Sequence, residues 1–393
     1  MTSVSVKAEF PAEARSQITR LETLAELEAF EPAWEALLSR CTQSSIFATF
    51  DYVRLAWEYF HQEGDRLLVL VLRREDQVVA VAPFRVSIAS VRGIPVRQVE
   101  WIAKWEGDRP GVLCATDPAW VWRRLAHFFA REYRGWDTLR LSEQDEAAQA
   151  HFRFEDEATL DISTDSEGYY IPLGGTFDEY LKGVDAKVKS NWRNRSRKVG
   201  ALEPKPIMHR LDSLEHMAAG VDRLIALERA SWKGDAGLGL GKDERHRLFY
   251  LALTRALAAR GRAAICFLSR GEEDLAGTLL FMLGGVVYER HIAYSPNHAA
   301  LSPGIVLRAD LLKSLFESDW QEFDLMGMRP EVGRQRHKED WATGRRETVC
   351  LQFHRNRGRL LPWLVARRLR SLVRFAVPKR QAAQPIDVDQ SES

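Results

Sequence analysis

The chain is poor in the residues that build most recognisable catalytic and metal centres. Its 393 residues include four cysteines, Cys41, Cys114, Cys266 and Cys350. They lie far apart and form no CxxC pair, which argues against a zinc site or a disulfide framework. Cys266 falls inside the apolar string AAICFL, a setting that predicts a buried, reduced thiol. No apolar run approaches the roughly 18 residues of a spanning helix. The start, MTSVSVKAEF, lacks the basic and apolar regions of a signal peptide. The expected location is therefore the cytoplasm, with peripheral contact at the inner face of the membrane left open by the tail described below. The formal net charge is +1, so no whole-molecule field points to nucleic acid, and no nucleic-acid partner is expected. Neither a Ser/His/Asp nor a Cys/His signature of nucleophilic catalysis is visible.

What remains is a globular composition of two or three domains, 45% hydrophobic and 28% charged, with twelve tryptophans. Residues 21–40 carry Leu24, Leu27, Phe30, Trp34, Leu37 and Leu38 on one stripe, predicting a helix. A second helix is expected from Tyr52 to Phe60. RLLVLVLRREDQVVAVAPFRVSI then predicts a hairpin turning at Arg74–Gln77, followed by the strand VRQVEWIA, a helix through AWVWRRLAHFFAREY and the strand WDTLRL. The second half repeats this grammar. Helices cover 211–232 and 244–261, the latter ended by Gly261. A three-strand meander turns at Arg270-Gly271 and Gly284-Gly285. A helix from 303, the strand QEFDLM and the strand TVCLQFH follow. Hairpin, helix and a strand opening on Trp occur in each half, so the pattern predicts two copies of one α+β unit with a mainly antiparallel sheet.

Between the halves, residues 155–168 carry six acids and no base, with room for a short strand, while residues 182–198 carry seven bases against one acid. Mutual attraction of these segments is the expectation. Residues 358–380 contain no acid and place Leu361, Leu364, Val365, Leu369, Leu372 and Val373 on one stripe, with Arg367, Arg370 and Arg374 opposite. This basic amphipathic helix either packs on the domain or contacts an anionic membrane. Residues 381–393 read as a disordered tail. The expected units are 18–165, 166–357, 358–380 and 381–393.

The helix from 303 opens with Ser302-Pro303-Gly304. Ser suits an N-cap, Pro the first helical position, and Gly exposes the backbone. Amides of Gly304, Ile305 and Val306, unpaired in the first turn, could hold a phosphate. The same tripeptide is also an ordinary helix start.

Five segments in order, YIPLGGTFDEYLKGVDAKVKSNWRNRSRK (170–198), LERASWKGDAGLG (227–239), DLAGTLLFMLGG (274–285), HIAYSPNHAALSPG (291–304) and FDLMGMRPEVGRQRHKEDW (323–341), together resemble the GNAT acyltransferase superfamily. The similarity is to the CelD type found beside bacterial polysaccharide genes, and more distantly to Fem-type peptidyltransferases with two GNAT units. The resemblance implies two tandem GNAT-like units, the first degenerate and without a cofactor helix mouth. It also implies acetyl-CoA or another acyl-CoA as co-substrate, with no metal, and direct attack of an amine on a thioester. An amine such as an amino sugar, in polysaccharide or cell-envelope biosynthesis, would be the acceptor. Ser-Pro-Gly stands where these enzymes usually carry a glycine-rich loop with Arg or Gln, which leaves a different carrier open, an acyl carrier protein among them.

Candidate roles follow from this resemblance. Asp324 is a base or substrate anchor, or else a carboxylate capping the loop at Gly327. Glu228 binds or deprotonates the amine, or forms a surface ion pair. Tyr294 protonates the leaving thiolate, or is a core tyrosine. Ser302, Gly304, Ile305 and Val306 hold the carrier's phosphates, and Lys338 joins them or pairs with Asp324. Trp232, Lys233, His291 and Trp192 line the acceptor groove, or Trp192 and His291 are packing residues. The competing functions are an aminoacyl-tRNA-dependent Fem-like peptidyltransferase and a non-catalytic membrane-peripheral scaffold.

Overall fold

The computed structural model describes residues 16–42, 44–102, 107–154, 157–231, 237, 239–328, 336–356, 358 and 360–365. Among them the strands are β1 Ser16–Leu21, β2 Arg66–Arg74, β3 Gln77–Val91, β4 Ile94–Trp101, β5 Leu113–Cys114, β6 Thr138–Gln144, β7 Ala158–Pro172, β8 Ile207–Leu211, β9 Ala263–Arg270, β10 Glu273–Leu283, β11 Val286–Tyr294, β12 Glu322–Met328 and β13 Gly344–Arg355. The α-helices are α1 Leu24–Ala29, α2 Glu31–Leu38, α3 Phe50–Phe60, α4 Pro118–His127, α5 Glu146–His151, α6 Phe177–Gly183, α7 Ala186–Gly200, α8 Leu214–Ala230, α9 Glu244–Ala259, α10 Pro303–Phe316 and α11 Arg336–Glu339.

All these strands join one mixed sheet in the order β1-β2-β3-β4-β6-β13-β7-β12-β11-β10-β9-β8, with β5 beside β3. The repeated grammar of the halves corresponds to repeated topology. β4 and β6 pair in parallel with α4 between them, and β11 and β12 pair in parallel with α10 between them. Each half completes its sheet with a strand from elsewhere. β13, from the end of the chain, lies against β6; β7 lies against β12; and β7 and β13 run antiparallel along each other in the middle. The two units therefore share one sheet.

Helices cover both faces, which explains the unbroken apolar runs. In β2, Leu67, Val69 and Val71 enter one core with α1–α3, while Leu68, Leu70 and Leu72 enter another with α4. Successive side chains of a strand point to opposite faces, so a strand covered twice must be apolar throughout. The first of these cores also contains Met217, Leu224, Phe249 and Leu253 from α8 and α9. α3 packs on α9 there, with Phe60 and Phe249 ring centres 4.8 Å apart. Arg260 and Arg262 reach back to Asp51 and Glu35 at 2.7 and 2.8 Å.

Three expectations are corrected. Residues 21–40 are not one helix. Leu21 pairs with Val69 in the sheet, Thr23 and Glu26 form a capping box that starts α1, and Pro32 sits in the first turn of α2, because proline cannot continue the preceding helix but suits the start of another. The acidic stretch is not a short strand but most of the fifteen-residue β7. Its described acids do not turn to the basic segment. Glu167 meets Arg345 at 2.6 Å, Asp161 meets His354 at 3.3 Å, and Asp165 accepts from the Glu143 N–H at 2.7 Å. The first turn of the tail, 361–365, is helical. It is docked through buried Leu360 and Leu364 near Val96, with Leu361 and Val365 exposed; residues 366–393 lie outside the described residues. No described helix is long and apolar enough to cross a membrane.

Candidate functional site

β11 and β12 keep parallel register only where Val286–Tyr288 face Glu322–Asp324, although β11 continues to Tyr294 and β12 to Met328. Both strands are bulged at that point. In β11, Leu279 of β10 faces His291 and Leu280 faces Glu289, so Arg290 is an extra residue. In β12, pairing with β7 jumps from Asp324 to Gly327, and Met326 takes φ +70°. An inserted residue bends a strand and raises its twist, so the two strands part into a wedge.

On one side of the wedge, Glu228 from the last turn of α8 lies behind His291. Its Oε1 is 3.0 Å from His291 Nδ1, and its Oε2 accepts from the Leu240 N–H at 2.6 Å. His291 Nε2 lies 3.4 Å from the Tyr250 hydroxyl of α9, to which Arg290 donates at 2.6 Å. Glu228 is buried, while the His291 side chain keeps 15% exposure. A carboxylate on Nδ1 fixes the imidazole tautomer that leaves Nε2 as proton acceptor. Gly239, at φ +103°, lets the neighbouring loop cross this carboxylate; a Cβ there would sit 2.5 Å from Oε2.

Deeper in the wedge lies a cluster of charges. Asp324 is fully buried. Its Oδ2 takes Arg109 at 2.5 Å with Arg346 at 3.5 Å, and its Oδ1 accepts from the Met326 N–H at 2.7 Å. Arg109 also bonds Asp108 at 2.8 Å, and Asp108 accepts from the Gly327 N–H. Arg308 of α10 grips Glu289 of β11 through two bonds, 3.0 and 2.5 Å, with both side chains buried. Lys338 Nζ donates to the Gly327 carbonyl at 3.4 Å. Burial is the largest influence on Lys338 and pushes its ammonium down to about 8. Arg308 adds to that, while Asp108, Glu289 and Asp324 oppose it. Burial alone would raise Asp108, but Arg109, the Gly327 N–H and Lys338 outweigh it and hold the carboxyl below its ordinary range.

On the other side, α10 begins beside the end of β11. Ser302 sits at the N-cap with φ +49°, and its side chain makes no capping bond. The Ile305 N–H is spent on the Ser302 carbonyl at 3.0 Å. A Cβ on Gly304 would meet only Ile292 and Tyr294 carbons, at 3.8 and 3.9 Å, so packing does not require glycine there. α7 runs alongside, with Arg195 donating to the Ala300 carbonyl. An open groove of about 1660 Å³ places Lys187, Lys189, Arg193 and Arg197 of α7 with Ile305 and Trp341. The counterpart helix α4 is closed at its start, because the Asp117 carboxylate accepts from the Ala119 and Trp120 amides at 3.0 and 3.2 Å. An anion would meet repulsion there but not at α10.

Residues 186–339 match the family described as the acetyltransferase (GNAT) domain. This segment is a GNAT-type acetyltransferase domain. The chain is thereby an enzyme of the acyltransferase class. No curated protein matches it in sequence. Its fold is similar to that of FemX (TM-score 0.55, 12% identity, 85% of this chain and 96% of that one). It is similar also to L-PGS from Bacillus licheniformis (0.51, 15%, 87% and 96%) and to a protein of unknown function from Bacteroides thetaiotaomicron (0.51, 10%, 86% and 100%).

Within the acetyltransferase domain, the structure brings Glu228 and His291 together, sets Asp324 and Lys338 in one charge cluster, and places Ser302, Gly304, Ile305 and Val306 with Tyr294 at the start of α10. Trp192 lies in the core, 5.8 Å from the Phe177 ring and under Lys313 at 5.3 Å. Trp232 and Lys233 lie outside the described residues. Among the described residues, no group of three or more His, Cys, Asp or Glu could hold a metal. Sequence reasoning missed Asp108, Arg109, Tyr250, Glu289, Arg308 and Arg346. Arg308 carried a signal, a charge between Leu307 and Ala309 on an apolar helix; Arg109 carried none, since it comes from the other half of the chain.

Proposed function

We propose that the acetyltransferase domain takes an acyl group from acyl-CoA and passes it directly to an amine, an amino sugar being the leading acceptor, in polysaccharide or cell-envelope biosynthesis. The observation that carries this reading is the Glu228–His291 pair at the edge of the parted strands. Only a free amine attacks a thioester, so a base must first take a proton from the ammonium. His291 Nε2 is that base, and Glu228 stabilises the imidazolium formed. The amine nitrogen then bonds to the thioester carbon. Lys338, a half-buried cation in the wedge, meets the developing oxyanion. The nitrogen gives its surplus proton to water, the carbon–sulfur bond breaks, and Tyr294 or water protonates the thiolate. Asp324, with both oxygens engaged, anchors the wedge. The carrier's phosphates rest at the start of α10, where Gly304 allows close approach, with Arg193 and Arg197 supplying charge.

A second reading keeps the site and changes the donor to an aminoacyl-tRNA. Likeness in fold to FemX over most of both chains favours it, and so does the volume of the basic groove, about 1660 Å³.

The test is thiol release across acyl-CoA chain lengths with candidate amino sugars, run on the wild type, Glu228→Gln and His291→Ala. A parallel arm supplies charged tRNA and follows transfer of labelled amino acid. Turnover from acyl-CoA that collapses in both variants supports the first reading; transfer only from tRNA supports the second. Equal turnover in all three proteins removes the catalytic pair.

A further inference from the structure

Far from the wedge, the same sheet carries a polar trough on the first half. It crosses β3, β4, β6, β13 and β7 and encloses about 460 Å³, within the range of small-ligand sites. Its floor is Gln98, Arg140, Gln352 and Asp161. Arg92, in the turn between β3 and β4, stands at one end, and Trp363, on the first turn of the tail, forms a wall. These floor residues face away from Val99, Leu139, Leu141, Leu351 and Phe353, which fill the apolar core on the opposite face.

Three features set this trough apart from ordinary surface. Arg140 Nε is buried without a hydrogen-bond partner among the described residues. A buried donor left unpaired is costly, and an anion on the guanidinium nitrogens that reach the trough offsets part of that cost. The trough is built across segments distant in sequence, and its wall is held in place: Trp363 packs edge-on to His354 at 5.2 Å, and its neighbours Leu360 and Leu364 are buried beside Val96. Finally, the lining is chemically mixed in a particular way. Two guanidinium groups against one carboxylate favour an anion, and the guanidinium fork matches a carboxylate or phosphate. Gln98 is held at both ends, by Glu100 and Thr138, and Asp161 pairs with His354 at 3.3 Å, while the Gln352 amide and the second Asp161 oxygen suit hydroxyl groups, which both donate and accept. The indole offers an apolar face.

We propose that this trough binds a sugar bearing one anionic group, either a phosphate or a carboxylate, with the anion on Arg92 and Arg140, the hydroxyls on Gln352 and Asp161, and the ring against Trp363. The site is separate from the acyl-transfer wedge and does not depend on the donor proposed there.

Titration calorimetry on the full chain with glucose 1-phosphate, glucuronate, glucose and inorganic phosphate tests this. The expected result is saturable binding of at least one of the two anionic sugars, tighter by tenfold or more than glucose or inorganic phosphate. Which of the two binds better separates a phosphate site from a carboxylate site. Arg92→Ala, an exposed residue whose loss leaves the fold intact, weakens that sugar about tenfold, as does Gln352→Ala. Arg193→Ala in the α7 groove leaves it unchanged. Trp363→Ala is read together with its melting temperature, because it also loosens the tail. Absence of saturable sugar binding overturns the proposal. So does inorganic phosphate binding as well as the sugars, or sensitivity to Arg193→Ala in place of Arg92→Ala.

Discussion

Glu228 and His291 are 63 positions apart, and each alone reads as a packing or surface residue. In the proposed mechanism they act together as a base and its orienting carboxylate. Glu228→Gln keeps the shape but removes the charge behind the imidazole. The expected outcome is a fall in kcat of about 10²–10⁴-fold with donor KM unchanged, measured by steady-state thiol release. Lys338 supplies a pH dependence. Its ammonium titrates near 8, so the charge in the wedge is present below that pH and lost above it. The rate is expected to fall as pH rises through 8, and Lys338→Arg, charged throughout, should move that limb above pH 10 in a pH–rate profile. The same shift has a stability consequence. Between its folded and unfolded pKa values the unfolded chain holds a proton that the folded one lacks. Stability of the wild type relative to Lys338→Met should therefore be lowest below pH 8 and recover from 8 towards 10.5. Paired thermal melts across that window check the sign.

At the scale of elements, α4 and α10 occupy matching places in the two halves but differ at their first turns. Asp117 closes one, and Ser302 leaves the other without a side-chain cap. A Cβ at Gly304 meets only ordinary contacts. Gly304→Ala should therefore keep the wild-type melting temperature or raise it slightly, since alanine is favoured in a helix by about 1 kcal/mol. If carrier phosphates approach this backbone, donor KM should still rise, and Gly304→Val should raise it further. Unchanged KM in both variants would remove the phosphate assignment. Gly277 on β10 is the opposite case. A Cβ there would lie 2.7 Å from the Phe267 ring and 3.1 Å from Leu224. Gly277→Ala should cost about 1–3 kcal/mol in urea unfolding through overpacking.

Across the whole molecule, the first half is not a bystander to the site in the second. Arg109 crosses from the loop after β4 to Asp324 on β12, a sequence separation of 215. Removing Arg109 leaves a fully buried carboxylate with Arg346 at 3.5 Å and the Lys338 ammonium as the cations that still act on it among the described residues. Arg109→Ala should destabilise by about 3–5 kcal/mol, and adding Asp324→Asn should return part of that loss. A double-mutant cycle by chemical denaturation measures the coupling, and additive losses would show that the pair does not join the halves. The exchange of β7 and β13 serves the same end, because neither half can complete its sheet alone.

The sequence by itself determined the local elements: the meander turning at Gly271 and Gly284-Gly285, α9 ending at Gly261, and the helix opening at Pro303 all stand where turn chemistry and helical periodicity put them. These signals act within a few residues, so a single sequence carries them. The tertiary structure alone decided that the acidic stretch is a central strand, that two units share one sheet, and that Glu228 meets His291 while Arg109 meets Asp324. Those outcomes depend on which distant segments bury each other's charges and strand edges, and no spacing along the chain encodes that choice.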